Sequence, residues 1–243
     1  MPTPATAAGA APLDIEDRDG PLPLLLFALA FVAGLLDAVS YLSLGHVFVG
    51  NMTGNTLFLA FASAGVKEFS VLASLIALVA FLVGAIGGGR LGVHAGAHRG
   101  RLLAASLSAK ALLVGAALVI ALVATAPLSQ AISYTLIVLL ALTMGLQNAI
   151  VRRLNVADLA TTVLTTTLTG LAMDSRLGGG TRARVWRRSM ATIAMFAGAG
   201  VGAWLAFHVG LAVVLSLALG LLIVDGVAAY RVATESAPWT AGH

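Results

Sequence analysis

Residues 45–64 read GHVFVGNMTGNTLFLAFASA, and whether this stretch crosses a bilayer decides the fold. A helix spanning about 30 Å of hydrocarbon needs roughly 20 apolar residues. The stretch has the length but the wrong surface. His46, Asn51, Thr53 and Asn55 bring donors and acceptors, and Gly45, Gly50 and Gly54 let the backbone leave helical geometry. VFV at 47–49 favours a short extended piece running into a helix near Asn51. A second stretch poses the same question. Residues 155–172 read NVADLATTVLTTTLTGLA, with threonines at 161, 162, 165, 166, 167 and 169. Threonine can return its hydroxyl to a backbone carbonyl, so this stretch can be helical while preferring protein or water to lipid tails.

Composition sets the solvent. The chain has 243 residues, of which 59% are hydrophobic and 10% charged, with a mean hydropathy of +0.99. Soluble chains carry roughly 25% charge, so this one is neither a soluble enzyme, a disordered chain nor a secreted disulfide scaffold. It has no cysteine, hence no disulfide, thiolate metal site or cysteine nucleophile. The pI is about 10.1. The arginines stand at the ends of apolar runs, which points to membrane topology and anionic headgroups and not to nucleic acid.

Six runs are apolar enough to cross: 22–44, 69–89, 102–125, 129–151, 189–208 and 209–230, with the last turn placed at His208 and Gly210. If the two polar stretches also crossed, Arg90, Arg99 and Arg101 would lie opposite Arg176, Arg182, Arg184, Arg187 and Arg188. If each enters and leaves on one side, every arginine falls on one face and only Lys67 on the other. The positive-inside rule selects the second arrangement. The expected fold is therefore an all-α integral membrane protein with about six transmembrane helices and two re-entrant or broken segments. Residues 1–21 read as a mobile cytoplasmic tail without the basic start of a signal peptide, and 233–243 as a second cytoplasmic tail.

The two polar stretches occupy equivalent places in two halves, 22–126 and 127–232. GLLDA from Gly34 matches GLQNA from Gly145, MTGN from Met52 matches LTTT from Leu164, and FLVGAIGG from Phe81 resembles FAGAGVGA from Phe196 at an offset of 115. With three crossings each, the halves would run oppositely through the membrane. Inverted repeats with interrupted helices are a transporter arrangement.

Asp37 lies deep in the first span, opposite Asn148 in the repeat, where a carboxylate must be paired, hydrated or protonated. Two readings stand open: a proton or cation site, and a structural hydrogen bond to Ser40, Asn51 or the Gln147–Asn148 pair. Gly50 and Gly54 can equally serve close helix packing. Asp158 is placed to cap the second polar helix. Lys110 and Asp225 are the other intramembrane charges, expected to pair or, for Lys110, to snorkel. No His spacing suits a metal, and no HExxH, GxSxG, Walker or dinucleotide motif is present. The expectation is a chain that is not an enzyme, with no cofactor and no metal.

GLLDAVSYLSLGHVFVGNMTGN, followed about 110 residues later by GLQNAIVRRLNVADLATTVLTTTLTG, resembles the YoaK-like family of bacterial transmembrane proteins. The resemblance runs from about residue 22 to 232 and rests on Gly34, Asp37, Ala38, Tyr41, Gly45, His46, Asn51, Met52, Thr53, Gly54 and Asn55. In the second half it rests on Gly145, Gln147, Asn148, Ala149, Arg152 and Arg153, with Thr166 standing where the family often has glycine. It implies an inner-membrane protein with about six helices and supplies no substrate.

The leading expectation is a transporter or permeation protein for a small polar or anionic solute. The solute would sit where Asn51, Thr53, Gly54 and Asn55, with His46 nearby, meet Thr162, Thr165, Thr166 and Thr167. Asp37 would be the protonatable group, and Gln147 and Asn148 would orient the solute. The alternative is a non-transporting membrane partner or assembly protein whose buried polar groups lock helices together. Partners are the bilayer and a small solute, with no nucleic acid; the Gly/Ala-rich helix faces permit a homodimer.

Overall fold

A computed structural model of the chain describes residues 19–94, 98–125, 127–156, 164–175 and 185–233. The described residues form helices α1 (Leu22–Ser43), α2 (Met52–Ser63), α3 (Val71–His94), α4 (Arg99–Val123), α5 (Gln130–Leu154), α6 (Leu164–Asp174), α7 (Val185–His208) and α8 (Leu211–Ala233). Six of them, all but α2 and α6, are long and apolar enough to cross a membrane. At about 1.5 Å per residue, α2 and the described part of α6 are too short to do so.

The boundaries follow local chemistry. Pro21 stands at the start of α1, where its missing N–H costs nothing. Ser129 caps α5, accepting from the Ile132 N–H at 3.3 Å. Gly210, at φ 122°, adopts the left-handed backbone that parts α7 from α8, at the turn expected from the sequence.

α1 and α5 are the most enclosed helices, and the others wrap them. α1 packs on α7 and α8; α5 packs on α3 and α4; α4 packs along α8; α2 lies on α3 and α6 on α7. Exchanging α1–α4 for α5–α8 returns the same set of pairs. The glycine contacts repeat residue by residue. Gly34 lies against the backbone of Met195, Gly198 and Ala199, and Gly145 against that of Phe81 and Ala85. Gly198 meets the Phe31 carbonyl and Gly84 the Leu142 carbonyl. Gly202 rests on Leu35 and Ala38, and Gly88 on Leu146 and Ala149. An offset of 111 carries Gly34 to Gly145, and one of 114 carries Gly84 to Gly198. The sequence offset of 115 for the third helix of each half is thus one residue too long. Runs of glycine and alanine slide along each other without penalty in a sequence comparison, whereas backbone contact fixes their register.

One end of the bundle collects the helix termini and the arginines. Asp19, just before α1, accepts from Arg99 of α4 at 2.9 Å and from Arg187 of α7 at 2.7 Å. Arg99 also donates to the Leu154 carbonyl at the end of α5, at 2.9 Å. Gly92 of α3 underlies the Arg153 side chain, and Gly100 meets Ala233 of α8. Arg90, Arg101, Arg152, Arg188 and Arg231 lie in the same terminal turns, so the described arginines share one end, as the sequence required. Arg176, Arg182 and Arg184 lie outside the described residues. Asp19, assigned from sequence to a mobile tail, is 6% exposed and held by two guanidiniums. The outer faces carry bare apolar side chains, Leu112, Phe196 and Phe207 among them. In a membrane-spanning protein these faces contact the bilayer.

Candidate functional site: a re-entrant hairpin and a buried polar seam

Residues 44–64 turn back on α1. Gly45, at φ 103°, and His46, at φ 58°, both take the left-handed backbone, which is strained for a histidine. This reverses the chain so that residues 47–50 descend along the last turns of α1. The Asp37 carboxylate then accepts from the Val49 N–H at 2.9 Å and the Gly50 N–H at 2.7 Å, both through Oδ1. Asp37 is 6% exposed. Gly50 permits this approach, because a Cβ there would press on the Asp37 carboxylate and on the Met144 methyl of α5.

From that depth α2 runs back out. Asn51 caps it, accepting from the Gly54 N–H at 3.2 Å. Asn55, fully buried, closes the hairpin: its oxygen accepts from the Phe48 N–H at 2.8 Å and its amide donates to the Phe48 carbonyl at 2.6 Å. Gly54 lies under the Phe48 ring, so its missing side chain serves the hairpin itself and not a second helix. Tyr41 stacks on Phe48 at 5.0 Å, Phe48 on Phe58 at 5.7 Å and Phe58 on Phe69 at 4.5 Å, fastening the hairpin to α1 and to the start of α3. The His46 ring meets Tyr41 edge-on at 5.2 Å. Asn51, Thr53 and His46 remain exposed.

The structure therefore brings together Asp37, Asn51, Gly54 and Asn55 of the expected site, with Gly50 between them. It keeps α6, with Thr165 exposed and Thr167 buried, beside α7. Arg188 of α7 ties α6 down through Asp174 at 2.6 Å. Thr162 and Asp158 lie outside the described residues, as does the side chain of Thr166. Asn148 donates to the Met144 carbonyl of its own helix at 3.0 Å. Of the three partners considered for Asp37, Ser40 donates to its backbone oxygen, at 3.1 Å, and not to its carboxylate.

Gln147 joins a second polar group, the one around Lys110 and Asp225, to which the sequence did not assign it. Its Oε1 accepts from the Lys110 ammonium at 2.5 Å, and its Nε2 donates to the Leu29 carbonyl at 3.3 Å. Lys110 is fully buried, so it does not snorkel. Asp225, 6% exposed, stands on α8, which packs along α4, and makes no direct ion pair with Lys110. The missed part is the α4–α5 bond of Lys110 to Gln147, whose signal is the side-by-side packing of those helices, which one sequence does not display. Among the described residues no group of three or more His, Cys, Asp or Glu is placed to hold a metal.

Residues 25–227 match the family model described as "Protein of unknown function (DUF1275)". The chain belongs to this family. A relative from Bacillus subtilis (strain 168), described as "UPF0700 transmembrane protein YoaK", is 34% identical over 151 residues. That match covers 62% of this chain and 65% of the relative, a little under two thirds of its length. No solved structure matches the chain. The family and its transmembrane relative agree with the six apolar helices: this is a multi-pass membrane protein.

Proposed function

We propose that the chain is a transporter for a small polar or anionic solute in a bacterial cytoplasmic membrane, with the arginine-bearing end and both termini in the cytoplasm. The observation that carries this reading is the hairpin of residues 45–64. Non-helical backbone at membrane depth is tolerated only where it is buried in protein or lines water, and such broken elements hold substrate in secondary transporters. Here the element exposes Asn51 and Thr53 while its inner tip is fixed to Asp37. The recurrence of helix packing between the halves supports oppositely oriented repeats that rock about their common seam. Asp37 in this reading is the pin of a gate: the hairpin moves when the carboxylate lets go of the Val49 and Gly50 amides.

The experiment is uptake into liposomes containing purified protein, using radiolabelled glycine, urea, acetate and phosphate as small polar and anionic probes. At least one probe should equilibrate faster than in protein-free liposomes, and Asp37→Asn should slow it about tenfold, the effect of roughly 1.4 kcal/mol on a barrier. Uptake equal to that of empty liposomes for the whole set contradicts the reading. One observation favours the alternative of a non-transporting membrane partner. Asp37 and Asn55 both find their hydrogen-bond partners inside the hairpin, as groups that only lock helices together would.

A further inference from the structure

Of the three charges within the spans, Asp37 accepts from backbone amides, while Lys110 and Asp225 stand on the packed helices α4 and α8 with no ion pair between them. Lys110 is the twelfth of 25 residues in α4, so it sits about 16 Å from Arg99 at the arginine end. The antiparallel register of α4 and α8 is set by Gly100 against Ala233 and Gly226 against Leu107, and it brings Asp225 to the same level. An ammonium has three donors. Among the described residues the one hydrogen bond from Lys110 goes to a neutral amide, and none reaches the Asp225 carboxylate. Desolvating two opposite charges without joining them is costly, and an ionisable pair kept within spans marks an ion or proton path by default.

The seam matters as much as the charges. α4 and Lys110 belong to the first half; Gln147 and Asp225 belong to the second; and Gln147 reaches back to the Leu29 carbonyl of the first. Any relative motion of the halves must therefore remake the contacts of Lys110. The surroundings are closed. Leu107, Val114, Ala218 and Leu222, one or two turns away on the same helices, are at most 1% exposed. Among the described residues no other ionisable side chain stands at the level of the pair. α3 carries Arg90 and His94 only in its last turns, α5 carries Tyr134 near its start and Arg152 and Arg153 at its end, α1 carries Asp37 and Tyr41 two and three turns from Leu29, and α7, which packs on α8, carries Arg187 and Arg188 in its first turn and His208 at its end.

We propose that Lys110 and Asp225, at one level of the packed helices α4 and α8 on the seam between the two halves, form the site at which the protein binds and releases a proton. A proton arriving on the pair takes it from net zero to +1, shared between ammonium and carboxylate, and its departure to water restores zero. The closed surroundings admit this smallest of ligands. Coupling of the proton to solute movement rests on the transport reading; the proton site does not.

The chain has two lysines, Lys67 and Lys110, so protein labelled with 13Cε-lysine in detergent micelles gives two resonances, and Lys67→Arg assigns them. The Lys110 resonance should move with pH between about 5 and 9, where an exposed lysine keeps its proton. The midpoint should shift by about one pH unit or more in Asp225→Asn, and, should that variant not fold, in Asp225→Glu. A Lys110 resonance that stays fixed across the range, or a midpoint unmoved by either change at Asp225, overturns the proposal. The measurement needs no solute, so its failure is separate from a failure of the uptake experiment.

Discussion

Asp37 accepts two N–H groups from residues twelve and thirteen positions further along the chain, and this makes it the anchor of the hairpin. Hydrogen bonds to a carboxylate are the stronger kind. Asp37→Asn keeps the shape and can keep Oδ1 toward both amides, but it removes the charge that strengthens both bonds and puts a buried donor in the place of the second oxygen. It should destabilise the protein by about 1–3 kcal/mol, the cost of leaving buried polar groups ill-matched, read as a lowered unfolding temperature in detergent. Asp37→Glu, which keeps the charge and displaces it, should fall between Asn and wild type. Sequence made the depth and cost of this carboxylate legible, because position in an apolar run needs no knowledge of contacts. Its partners were not legible, since the Val49 and Gly50 amides carry no residue-specific signal. Lys110 shows the same division: its burial could be counted from Arg99, its bond to Gln147 could not.

At the scale of elements, the hairpin and the helix pairs rest on missing side chains. A Cβ on Gly145 would collide with the Phe81 carbonyl, and one on Gly34 with the Met195 carbonyl. Backbone approach of this kind lets helices associate where no hydrophobic force drives them together. Gly145→Ala and Gly34→Ala should each cost about 1–3 kcal/mol by forcing the pairs apart. Gly87→Ala, where a Cβ meets nothing, should be neutral or slightly stabilising. Thermal unfolding of the three variants checks this. The re-entrant character of 45–64 was legible because glycine, asparagine and threonine are poor company for lipid. So was its turn into a helix at Asn51, since the asparagine cap is a local device. The register of α3 and α7 was not, because small residues repeat too often to fix an alignment.

At the scale of the molecule, Asp19 joins the two halves at the arginine end through Arg99 and Arg187. Breaking a buried pair strands the partner charges, at about 3–5 kcal/mol. Asp19→Asn should loosen that end, and a single cysteine at Ala233, 8% exposed and beside Gly100, should then react several-fold faster with a maleimide. The clustering of arginines was legible from sequence, because the positive-inside rule is a property of positions. The clamp was not, because it joins residues 80 and 168 positions apart. The central structural claim is that residues 45–64 enter and leave the membrane on one side. The chain has no native cysteine, so single-cysteine variants report sidedness directly. With a membrane-impermeant maleimide on intact cells, His46→Cys and Lys67→Cys should both label, while Arg90→Cys and Arg152→Cys should label only after lysis. Labelling of His46→Cys and Lys67→Cys from opposite sides would mean that the segment crosses, and would contradict the account.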